Sequence, residues 1–70
     1  MSAIQLLDVV ALTEDIAERN LRRGQVGTVV EILDDGVYEV EFSDTDGRAY
    51  AMLALRANQL MVLHYTPVGN

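Results

Sequence analysis

The chain contains no cysteine and a single histidine. Disulfides and thiolate zinc sites are therefore excluded, and one imidazole is too few for a histidine-built metal cluster. Lysine is absent as well: the five basic residues are all arginine. Tryptophan is missing, and three tyrosines and one phenylalanine make up the aromatic set. No stretch approaches the roughly 20 apolar residues that span a bilayer. The opening MSAIQLLDVVAL lacks a basic n-region and carries Asp8 inside its apolar run, so it does not have the form of a signal peptide. A cytoplasmic location is the default expectation. Internal repeats, low-complexity segments and linkers are lacking, so residues 1–70 read as a single domain, with residues 1–7 as a lead-in and 66–70 as a frayed tail.

What is present is apolar and acidic. Half of the 70 residues are hydrophobic, slightly rich for a soluble domain of this size. Either the core is dense, or some apolar surface is covered by a partner or a second copy. The formal charge of −6 repels a nucleic-acid backbone on average and suits a basic protein partner, or simply keeps the chain soluble.

The strongest local signals lie in RRGQVGTVVEILDDGVYEVEF, from Arg22 to Phe42. Val, Thr and Ile dominate Val26 to Ile32, and their branched side chains suit a pleated surface. Asp35-Gly36 between two apolar runs is a hairpin signal, of the type I′ kind that needs positive φ. Tyr38, Val40 and Phe42 alternate with Glu39 and Glu41, which buries one face and solvates the other. By parity Val30 and Ile32 point inward and Glu31 outward, with Val29 ambiguous if a bulge intervenes. Gly24 and Gly27 mark a bulge or a close backbone approach.

Before the hairpin, Asp8 to Leu12 form a first strand. TEDIAERNLRRG follows as a long loop with one irregular turn, anchored by Ile16 and Leu21. After it, residues 43–48 form a turn, Ala49 to Leu55 a fourth strand, Arg56 to Gln59 a 3-10 turn, and Leu60 to Tyr65 a fifth strand. This order of loops describes an all-β fold, a small five-stranded SH3-like barrel with a long first loop and a 3-10 turn before the last strand. An OB-fold wants a helix between its third and fourth strands, which Ser43 to Arg48 cannot supply.

The pattern GQVGTVVEIL…YEVEFSD…GRAYAMLAL…QLMVL, over Leu7 to Leu63, resembles a small bacterial family of single-domain proteins classed as a domain of unknown function. The resemblance implies an SH3-like barrel and brings no activity and no catalytic residues. It also implies genes paired in a manner suggestive of toxin and antitoxin. The segment Gly24 to Val30 is similar to the glycine-hinged second strand of ribosomal and transcription-factor barrels. Those relatives bind RNA or protein through basic loops, which this chain mostly lacks.

Candidate chemistry is sparse. Asp44-Thr45-Asp46-Gly47 imitates the start of a calcium loop, but the later ligands are missing and a plain β-turn is the commoner use. Paired carboxylates can do acid–base work only in a cleft, for which so small a barrel has no room. Neither Ser2 nor Ser43 sits in a nucleophile elbow, and His64 reads as exposed. No catalytic residue, cofactor or metal is expected. The candidate partner surface comprises Glu31, Glu39 and Glu41 on the outer hairpin face, Arg22 and Arg23 beside Gly24, and Met61 on a last strand that is apolar on both sides, whose cover is either the lead-in residues Ile4, Leu6 and Leu7 or a partner. The solvated face of an amphipathic strand pair is the plainer reading of the glutamates; the arginines equally suit local ion pairs. Tyr50 and Tyr65 are too few for an aromatic peptide groove. The leading expectation is a non-enzymatic protein-interaction module or homo-oligomer, in its specific form the neutralising half of a bacterial pair. The alternative is a nucleic-acid-binding barrel using Arg22, Arg23 and Arg48. No membrane partner is expected.

Overall fold

The structure, a computed structural model, describes residues 4–65 and 67; the expected tail therefore falls mostly outside the described residues. Five strands form: β1 (Val9–Leu12), β2 (Val26–Asp34), β3 (Val37–Ser43), β4 (Ala49–Arg56) and β5 (Leu60–Val62). Two 3-10 turns accompany them, Ala17–Arg19 in the first loop and Ala57–Gln59 before β5. The strands make one antiparallel sheet in the order β4-β3-β2-β1-β5. The all-β, five-stranded arrangement expected from the sequence is what forms, with β5 shorter than the expected Leu60 to Tyr65. Among the described residues the sheet is not closed: β4 and β5 are its two edges. No helix among the described residues is long and apolar enough to cross a membrane.

The alternation in β3 does what its periodicity dictates. Tyr38, Val40 and Phe42 are buried, and Val40 and Phe42 are wholly enclosed. They meet Leu55, Leu53 and Ala51 across β4, and Val40 meets Val29 across β2. Val10, Leu12 and Leu60 complete the sheet side of the core. Each such side chain contributes about 1.5–3 kcal/mol by leaving water. The long first loop folds over the remaining opening. Ile16 and Leu21 bridge each other through their backbones and insert as its two anchors, as expected.

Inward parity on β2 differs from the expectation. Val29 is wholly buried, whereas Val30 and Ile32 are 36% and 50% exposed. The cause is a register shift between Val29, opposite Val40, and Glu31, opposite Glu39, which leaves Val30 as an extra residue. A second shift lies between Ile32 and Asp34. Ile32 still stands opposite Tyr38, but the core ends before reaching it. The turn is also not type I′, since Gly36 takes a positive φ of 76° and Asp35 does not. The second register shift lies directly beside this turn.

Gly27 sits where two strands press together. An added Cβ would lie 2.8 Å from Val40 Cγ1 and 2.9 Å from the Glu41 carbonyl oxygen. Close approach, rather than an unusual φ, requires glycine there. Of the two covers open to the last strand, the lead-in is not the one used. Ile4 packs on the core, but Leu6 and Leu7 are 54% and 69% exposed. The Leu7 N–H donates to the Val29 carbonyl at 2.7 Å, which carries the lead-in toward β2 and away from β5. It therefore does not cover Met61.

Candidate interaction surface

The outer face of the sheet is built by the side chains that β3 alternation excludes from the core. Glu39 and Glu41 share this face, and Glu31 joins them because it stands directly opposite Glu39. The three glutamates expected on the hairpin are thus brought together. Like charges placed opposite one another are destabilising, by up to about 1 kcal/mol for such a pair. Asp34 and Asp35 extend the acidic strip to the turn, where the Asp34 carboxylate accepts the Asp35 N–H at 2.7 Å.

Two cross-strand rows carry the apolar part of the same face. One runs Met61, Ala11, Val26; the other runs Val9, Thr28, Glu41, Met52. Met61, Val26 and Met52 are all about half exposed, while Ala11 between Met61 and Val26 is 5% exposed. Met61 stands on β5, three strands from the glutamates on β3, or about 14 Å at the usual interstrand spacing.

The arginines do not belong to that cluster. Arg22 and Arg23 precede β2, at the opposite end of the strand from Glu31. Their backbone amides are held by side chains: the Gln25 carbonyl oxygen accepts the Arg22 N–H, and Asp15 Oδ1 accepts the Arg23 N–H at 2.8 Å. Gln25 Nε2 in turn donates to the Tyr50 hydroxyl at 3.0 Å, which draws this segment to the start of β4. Arg48, in the β3–β4 turn, consequently lies at the same end as Arg22 and Arg23. Asp15, Asp44 and Asp46 are interleaved with them, so this end is not a basic patch.

Asp44-Thr45-Asp46 is a turn closed by its own first carboxylate. Asp44 Oδ1 accepts the N–H groups of Asp46 at 2.9 Å and Arg48 at 3.0 Å. No group of three or more metal-ligating side chains is assembled among the described residues. His64 and Tyr65 are exposed after β5. An open groove separates the first-loop 3-10 turn from β4, lined by Ile16, Glu18, Arg19 and residues 53–56. Arg19 Nη2 crosses it to the Met52 carbonyl oxygen at 3.4 Å, so that β4's outer edge is partly occupied by a side chain of the protein itself.

The sequence pointed less clearly to a further set. From Val30 to Asp35 every residue is exposed, and Ile32 and Leu33 are 50% and 45% exposed. This distal half of β2, with Leu6 and Leu7 beside its base, is an arm whose apolar side chains lie outside the core, although Tyr38 opposite it on β3 remains buried. Its signal was the loss of alternation: four of the five residues Val29 to Leu33 are apolar, which leaves neither face polar.

Fold and surface together define a small, open-sheeted all-β protein whose exposed chemistry is apolar and acidic. The chain belongs to the family described as domain of unknown function DUF4926, whose model matches residues 6–62. No curated protein and no solved structure matches it.

Proposed function

We propose that this protein is a non-enzymatic protein-interaction module, found in the cytoplasm, whose partner is another protein and not a nucleic acid. The observation that supports this is the amount of apolar side chain left outside the core. Val26, Met52 and Met61 on the outer face, and Val30, Ile32 and Leu33 on the arm, are each 36–53% exposed. Apolar side chains left exposed in this number on so small a domain, with carboxylates beside them, are what a protein interface offers before its partner arrives. A neutralising role in a bacterial pair is the specific form of the proposal, and its support is the resemblance alone.

The test is isolation of the full chain from its native host under gentle conditions. The expected result is a stoichiometric complex that survives gel filtration. A clean monomer, at both low and high salt, would count against the proposal. A second reading, nucleic-acid binding, draws on the Gln25–Tyr50 bond that gathers Arg22, Arg23 and Arg48 at one end. It predicts salt-sensitive binding of single-stranded RNA or DNA that is lost on R22A/R23A substitution.

A further inference from the structure

We propose that the distal edge of β2, from Val30 to Asp34, takes an extended segment of a partner protein as an added strand, one that alternates apolar and basic side chains. The inference deepens the interaction-module reading and rests on it.

The ladder shows the vacancy. β1 pairs with β2 only at Val26 to Thr28, and the last backbone bonds between them join Val29 to Leu7 and Asp8. β3 continues along β2 to Asp34. Among the described residues, then, Glu31 to Asp34 are paired on one side only.

Hydrogen-bond parity says what that edge presents. Val29 directs both its N–H and its carbonyl toward β1, so its partner Val40 must direct its own toward β4. The direction alternates along β3, which turns Glu39 toward β2 and Tyr38 toward β4. Ile32, opposite Tyr38, consequently sends its N–H and carbonyl to the open side.

Natural edges are blunted with lysine, proline or a covering segment. β2 has no lysine and no proline, and its arm mixes apolar Val30, Ile32 and Leu33 with the carboxylates of Glu31 and Asp34, which discourage an acidic or identical strand but not a basic one. The two register shifts twist it, which suits a short added strand and opposes long flat stacking. By contrast, the β4 edge already holds Arg19.

Charge selects the occupant. Neither β2 nor β3 carries a basic residue, and the arm holds Glu31 against Glu39, then Asp34 and Asp35. A second copy would bring the same carboxylates and another −6 of charge to the seam. A basic strand instead places a cation near the Glu31–Glu39 pair and relieves its repulsion. Its backbone meets the Ile32 amide and carbonyl, and its apolar side chains, on the face away from Glu31, cover the exposed Ile32 side chain.

The test uses the isotope-labelled full chain and two capped seven-residue peptides, one alternating lysine with valine and one alternating glutamate with valine. The lysine peptide is expected to shift the amides of Val30 to Asp34 and, near saturation, to slow exchange of the Ile32 amide about tenfold. Both effects should weaken with salt, and the glutamate peptide should produce neither. Ile32→Pro removes the edge donor and should abolish the response. Leu33→Lys, which leaves the backbone unaltered, should lower affinity several-fold and guards against a folding defect in the proline variant. The inference is overturned by the absence of any shift, by shifts centred on Val26 and Met61, or by concentration-dependent pairing of two copies through this edge. An Ile32 amide already protected in the free chain overturns it too, since the chain would then close its own edge. Shifts at Val26 and Met61 would leave the interaction reading standing; a partnerless chain in its host would remove that reading itself.

Discussion

Gly27→Ala is the substitution whose outcome follows most directly from the packing. The new methyl would sit 2.8 Å from Val40 Cγ1, 2.9 Å from the Glu41 carbonyl oxygen and 3.0 Å from Phe42 Cδ2. A flexible neighbour could swing away, but none of these can. Val40 and Phe42 are wholly buried, and Glu41 is a backbone group fixed between Thr28 and Met52 in the middle of the sheet. Overpacking of this kind costs about 1–3 kcal/mol. Alanine in place of glycine recovers about 0.5–1 kcal/mol of backbone entropy. With contacts under 3.0 Å to a backbone oxygen and an enclosed valine, the cost falls in the upper half of that range, so the net loss is about 1–2.5 kcal/mol, a drop in Tm of about 5–20 °C for a domain of this length. Thermal unfolding followed by circular dichroism measures it. A Tm at or above that of the parent chain would refute the close approach of β2 and β3 on which the register rests.

Val40→Asp should unfold the domain, because an unpaired charge would replace a fully enclosed side chain, whereas Glu39→Ala, at a half-buried site where relief of the Glu31 repulsion offsets the lost packing, should change stability by no more than about 1 kcal/mol in urea unfolding. The reverse ranking would invert the strand parity. Asp44→Ala removes the acceptor of two turn amides and should cost about 1 kcal/mol by the same assay, with no effect contradicting the assigned turn. Met61→Glu, at a side chain 53% exposed, should leave the isolated chain's stability within about 0.5 kcal/mol and its mass by light scattering unchanged; a large loss of stability would mean that Met61 is covered within the chain.

The sequence made the local elements legible because their signals are local. Strand alternation in Tyr38 to Phe42, the composition of residues 43–48, and isolated Ile16 and Leu21 in a polar loop each find their place in the structure. Where pairing between strands decides, sequence alone was insufficient. Val29 and Val30 are chemically identical, and only the register shift opposite Val40 and Glu39 makes one core and the other surface. Leu6 and Leu7 look like cover for the last strand until the backbone bond to Val29 turns them the other way. The candidate surface suffered likewise. Glu31, Glu39 and Glu41 converge because the hairpin pairs them, whereas Arg22 and Arg23 lie at the far end of β2, a separation that follows from the extended chain between them and Glu31.

Photo-crosslinking in the native host tests the central claim most directly. A photoreactive residue placed at Ile32, on the exposed arm, should give one discrete adduct with another protein. The same residue at Ser43, exposed at the other end of the hairpin, should give none. Absence of an adduct at Ile32, or identical labelling at both positions, would contradict the account.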